Sequence, residues 1–181
     1  ASGSVNFTLY GAGPATISAT INDPNDLSPL VAQINSASGT TGITASASGG
    51  TLTLTDPEGK DIKIENFTAG TNGTIKVEGV TLTTGGNDST VIGGQLTVQS
   101  DQPFTINGEA AGLGTISNSS GTRVDDNGVA PQTLTINGLT SRDISVSAGM
   151  SAYQIADAVN NASGSTGVSA TARTEAVLSG L

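Results

Sequence analysis

Apolar residues alternate with Ser and Thr along much of this 181-residue chain. A period of two predicts half-buried β-strands. Thr51–Thr55 and Asp61–Glu65 follow that pattern, and Asp56-Pro57-Glu58-Gly59-Lys60 between them has turn chemistry, so a β-hairpin is expected there. Thr74–Val77, Val80–Leu82, Gln95–Val98 and Phe104–Ile106 are further strand segments, punctuated by Asn72-Gly73, Gly85-Gly86 and Asn107-Gly108. Gly49-Gly50 and Gly93-Gly94 open strands as bulges or bends. The run Gly114–Asn127 has only Ile116 and Val124 as larger apolar residues and reads as a loop or linker.

Twice the period lengthens to that of a helix. Leu30, Ile34 and Ala37 fall on one helical face, as do Ile155, Val159 and Ala162. Ser28 is the expected N-cap of the first helix, with Pro29 at its first position. Ser151-Ala152-Tyr153-Gln154 has the form of a capping box for the second. Gly39 and Gly164 are the expected helix stops. Both helices belong to an internal repeat: Ile34–Ala45 echoes Val159–Ala170, and Phe7–Gly11 lines up with Leu134–Gly138. Each copy reads as strand, turn, strand, helix, strand. In the second copy Gln132–Ile136 and Asp143–Ser147 are the paired strands, Asn137-Gly138 is the turn, and a last strand begins at Val168. The helices are too short to be stable alone and must pack on a sheet.

The composition narrows what such a chain does. Aromatics are 3%, namely Phe7, Tyr10, Phe67, Phe104 and Tyr153, which favours several small cores over one large one. The net charge is −9, and Lys60, Lys63, Lys76, Arg123, Arg142 and Arg173 are scattered, so nucleic acid is excluded as a partner. The acidic balance disfavours anionic membranes, and no apolar run approaches the roughly 20 residues of a membrane span. There is no His and no Cys, which removes His- and Cys-dependent catalysis and ordinary zinc sites. The three lysines have no spacing that suits a Ser–Lys nucleophile pair. Asp125-Asp126 reads as a solvated turn rather than a glycosidase carboxylate pair. Asp23, Asn25 and Asp26, and Asp125, Asp126 and Asn127, are oxygen-rich clusters, but neither has a calcium-loop pattern and turn chemistry explains both. Gly85-Gly86-Asn87-Asp88 is only a shadow of a calcium repeat. The expectation is no enzyme: no catalytic, cofactor-binding or metal residue is assigned, and no cofactor.

The strand ending in a Gly turn, the second strand, the Ser-Ala-x-x-Ile-Ala-x-Ala-Val-Asn-x-Ala-Ser helix and the following Thr-Gly-Val resemble the flagellin hook IN motif. Leu134–Ala170 is the closer copy. In Phe7–Ala45, Leu9-Tyr10-Gly11 stands in place of Ile-Asn-Gly and Pro29 interrupts the Ser-Ala start. Gly93–Val98 and Pro103–Ile106 also resemble flagellin outer-region sequence. No heptad pattern of a filament core is present, and both ends read as cut from a longer chain. The resemblance implies an extracellular, surface-exposed outer region of a bacterial flagellar filament subunit, monomeric as isolated, meeting other subunits through segments outside this chain. Host receptors or glycans are further contacts it allows. An adhesion or carbohydrate-binding module, using an exposed aromatic such as Tyr10, and a piece of a hook-associated protein are the alternatives. The expected fold class is α+β, with two small β-rich units, each a sheet carrying one short helix. The expected layout is a first unit over 1–114, a linker over 115–130 and a second, truncated unit over 131–181.

Overall fold

The computed structural model describes residues 3–70, 73–108, 119–121 and 127–180. In chain order the elements are β1 (Gly3–Tyr10), β2 (Pro14–Ile21), α1 (Ser28–Ser36), α2 (Ser38–Thr41), β3 (Thr44–Ser48), β4 (Thr51–Asp56), β5 (Ile62–Ala69), β6 (Thr74–Val77), β7 (Val80–Thr83), β8 (Ser89–Ile92), β9 (Gln95–Gln99) and β10 (Thr105–Asn107). There follow β11 (Ser119–Gly121), β12 (Gln132–Asn137), β13 (Ser141–Val146), α3 (Ala152–Asn161), α4 (Ser163–Thr166) and β14 (Ser169–Ser179). No helix among the described residues is long and apolar enough to cross a membrane.

The architecture is more β-rich than the expected α+β class. Among the described residues strand makes up 49% and helix 17%, in three sheets. The helices are only one to three turns long, so they plug gaps between sheets and do not form a layer of their own. One sheet runs β11-β8-β5-β1-β2, the second runs β3-β4-β14-β6-β7 with β9 also paired to β14, and the third runs β10-β12-β13.

The first two sheets enclose one core. Val5, Phe7, Leu9, Ile17, Ile62, Ile64 and Phe67 from one meet Leu52, Leu54, Ile75, Val77 and Leu82 from the other, and Leu30 and Ile34 of α1 join them. This arrangement overturns the hairpin expected over 51–65. β4 pairs with β3 and β14, whereas β5 pairs with β1 and β8. The reason is burial. Leu52 and Leu54 and Ile62 and Ile64 all point inward, so the two strands face each other across the core. The turn between them is a corner from sheet to sheet, folded by Asp56 Oδ1, which accepts from Glu58 N (2.8 Å) and Gly59 N (3.1 Å). Gly49-Gly50, read as a bend or bulge, forms instead the two-residue turn of the β3–β4 hairpin, where both residues have positive φ.

A second core lies between the three-stranded sheet, α3 and the β9–β14 pair. Leu134, Ile136, Ile144 and Val146 pack there with Ile155, Val159, Val168 and Ala170. Leu96, Val98, Phe104 and Ile106 pack on it as well, although in sequence they precede the segment expected to link the units. Of that segment, Ser119–Gly121 pairs with β8 and Asn127 is buried, while 115–118 and 122–126 lie outside the described residues. β14 spans both cores: Ala170 is in the second, and Ala176 and Leu178 are in the first. The strand expected to begin at Val168 pairs with β9 over 169–173 and with β4 over 174–179.

Candidate functional site

The repeat builds the same polar clasp twice. In the second copy Ser151 and Gln154 close the expected capping box at the start of α3: Gln154 N donates to Ser151 Oγ (3.4 Å) and Ser151 N to Gln154 Oε1 (2.9 Å). The first copy starts differently from expectation. Ser28 is already helical, and its N–H donates to Asp26 Oδ1 (3.1 Å). Asp26 thereby answers the open amide end of α1. Hydrogen bonds from the Ser28 side chain and backbone hold the Asp26 carboxyl below its usual range.

The helix stops fall three residues beyond the expected Gly39 and Gly164. Both of those glycines lie inside the extra turns α2 and α4, and the left-handed residues are Gly42 (φ 74°) and Gly167 (φ 71°). The threonine before each is buried and holds the turn closed. Thr41 Oγ1 donates to Ala37 O (3.2 Å) and accepts from Ile43 N (3.1 Å); Thr166 Oγ1 does the same with Ala162 O (3.1 Å) and Val168 N (3.2 Å).

The carbonyl of that threonine receives the hairpin tip. Ala12 N donates to Thr41 O (2.7 Å), and Leu139 N to Thr166 O (2.8 Å). The glycine before each donor explains itself here. A Cβ on Gly11 would lie 2.2 Å from Thr41 O, and one on Gly138 would lie 2.1 Å from Thr166 O. Neither glycine has positive φ. The Gly of the Ile-Asn-Gly turn is therefore required by close backbone approach, not by the turn conformation first expected for it.

An asparagine completes each clasp. Asn35 Nδ2 donates to Ala45 O (3.0 Å) while its Oδ1 accepts from Ala45 N (2.7 Å); Asn160 does the same with Ala170, at 2.8 Å both ways. The side-chain amide imitates a neighbouring strand, so it ties helix to strand and covers an edge position of the ladder. Asn160→Ala is expected to destabilise by about 2–3 kcal/mol in urea unfolding, because it strands both backbone groups of the buried Ala170. Asn35→Ala is expected to lose only about 1 kcal/mol, since the half-exposed Ala45 can turn to water. Equal losses at the two sites would contradict this account.

The residues weighed for chemistry sit in ordinary roles. Asp23 Oδ1 accepts from Asn25 N (2.9 Å) in a local turn, and Asn87 Nδ2 bonds Thr81 O (3.1 Å). The structure brings no group of three or more metal-ligating side chains together among the described residues. Asp125 and Asp126 lie outside those residues. Asn127 is a buried cross-link, donating to Asp61 Oδ2 (2.8 Å) and Met150 O (3.1 Å). Lys60 pairs with Glu58, and that hydrogen bond raises its pKa, the reverse of what a nucleophilic lysine needs. Tyr10, considered as an exposed aromatic, is half-buried with the Lys63 ammonium 5.5 Å from its ring centre. A groove lined by Gln99, Ser100, Asp101, Gly167 and Ser169 is open and polar, without the apolar walls of a small-molecule site. Sequence reasoning missed Asn35, Asn160, Thr41 and Thr166. Their recurrence at equal spacing in both copies was the available signal.

Fold and clasp together define a β-rich structural domain whose repeated polar residues bond its own backbone. Comparison with known families matches residues 4–56 and 133–180 to the flagellin hook IN motif, so the chain belongs to that family, whose members are structural, non-enzymatic proteins of the bacterial flagellum. The two matches are the two clasp copies. Searches of curated proteins and of solved structures found no match.

Proposed function

We propose that this chain is the outward-facing region of a flagellar filament subunit, a non-catalytic projection that sets the outer surface of the extracellular filament and so contributes to motility. The observation that carries this reading is the clasp. Its Asn, Thr and Gly residues are engaged with backbone in both copies, so the repeat serves to hold shape. The net charge of −9 keeps such projections soluble and mutually repelling. Contacts with other subunits are made by segments outside this chain.

The test is deletion of this region from the native filament protein, followed by electron microscopy. Filaments that still assemble, with a smaller diameter, are expected. Failure of the shortened and stably expressed protein to polymerise would assign the region to the filament core instead. Intact mass of the native protein provides a second check. A mature chain ending near residues 1 and 181 would remove the filament reading altogether.

A further inference from the structure

We propose that β14, the last strand of the second repeat, completes the fold of the first repeat, that Glu78 is its latch, and that the two repeats therefore unfold together. Three separate attachments point there. First, β14 lies between β4 and β6, and it places Ala176 and Leu178, both fully buried, in the core of the first repeat. Removing it would open that core along its length.

Second, the sheet-to-sheet corner is shaped around β14. A Cβ on Gly59 would stand 2.3 Å from the Ala172 Cβ and 2.8 Å from Arg173 N. The Gly59 carbonyl accepts from Tyr153 N (2.9 Å) at the start of α3, and the Lys60 ammonium lies 4.7 Å from the Tyr153 ring centre. A corner of the first repeat thus seats both the helix and the last strand of the second.

Third, Glu78 stands where turn chemistry would not put it. The β6–β7 hairpin turns through Glu78-Gly79 with φ of 48° and 84°. Asn, Asp or Gly is the favoured first residue of such a turn, and a Glu with positive φ is strained there. The strain has a local counterpart. Glu78 N donates to Val177 O (3.0 Å), and Glu78 Oε1 accepts from Val177 N (2.6 Å). Both backbone groups of one β14 residue are held by one residue of the hairpin. The carboxylate continues the ladder just beyond the point where β6 ends.

The full chain and three variants test this by calorimetry and hydrogen exchange. The parent protein should melt in a single transition. Glu78→Asn installs the favoured turn residue with a side chain one methylene too short to keep the bond. If the turn alone mattered, it would raise the midpoint. As a lost latch it should lower the midpoint by about 2–4 °C. Glu78→Gln keeps an acceptor oxygen at the same reach and should lose about half as much. An unchanged or raised midpoint for Glu78→Asn would overturn the latch. Val177→Pro removes the latched N–H from β14. Hydrogen exchange should then quicken in residues 51–56 and 74–77 around the first core as well as in 169–179, and complete unfolding of the first core would be the limit of the same result. Two resolved transitions in the parent, or faster exchange confined to 169–179, would overturn the shared fold.

Discussion

Gly138→Ala should destabilise this protein by about 3 kcal/mol or more, although it adds a single methyl group in a surface turn. The methyl would lie 2.1 Å from the Thr166 carbonyl oxygen, and the obstacle is backbone, which cannot rotate aside. The turn must back away, and the Leu139 N to Thr166 O bond is then lost. Gly11→Ala should be nearly as severe, since its methyl would lie 2.2 Å from Thr41 O and 2.9 Å from the Ile43 side chain. Gly39→Ala and Gly164→Ala are the controls. Both sit in short helical turns with nothing within 4 Å of an added Cβ. Alanine there should be neutral or stabilising by up to about 1 kcal/mol, since it restricts the unfolded chain. Urea titration of the four variants separates the accounts. If the Gly138 and Gly39 variants behaved alike, the close approach would not be what selects glycine at the hairpin tip.

The second large effect is expected at Phe67, where Phe67→Ala should destabilise by about 3–5 kcal/mol. Phe67 is fully buried in the first core, in a chain with few aromatics. How it gets there is a matter of register. Along β5 the inward residues are first Ile62 and Ile64, then Phe67 and Ala69, so the alternation skips one position. The skip is a bulge at Asn66, which has φ 55°, and the pairing of β5 with β1 shifts register there. Without the extra residue Phe67 would point outward. Phe67 N bonds Asp88 O (3.0 Å) beyond the bulge, which anchors the new register. Asn66→Gly should therefore be tolerated, while Asn66→Val, β-branched at positive φ, should lose about 1–2 kcal/mol. Equal tolerance of both at Asn66 would show that the bulge does not constrain the strand.

The family was legible because its features are local. The capping box at Ser151 and Gln154 needs only residues three apart, and the helical stripes of Ile34 and Val159 need only a few turns. The strands at Gln132–Asn137 and Thr74–Val77 declare themselves by alternation. The repeat was visible by comparing the chain with itself. The clasp was half legible: its Asn, Thr and Gly positions recur, but the roles of the Asn and Gly residues depend on atoms ten or more residues away, as when Asn160 reaches Ala170.

Partner choice was hidden for a physical reason. Backbone N–H and C=O groups are chemically alike at every residue, so alternation says that a segment is a strand and not which strand it joins. Thr51–Asp56 and Ile62–Ala69 looked like neighbours because a turn lies between them, yet their inward leucines and isoleucines set them in opposite sheets. The partner of residues 174–179 was hidden because β4 lies more than a hundred residues earlier. Local chemistry thus determines the helices, the turns and the identity of the repeat. The sheets, the bulge that buries Phe67 and the strand common to both cores follow from long-range burial of apolar faces, which only the assembled fold can satisfy.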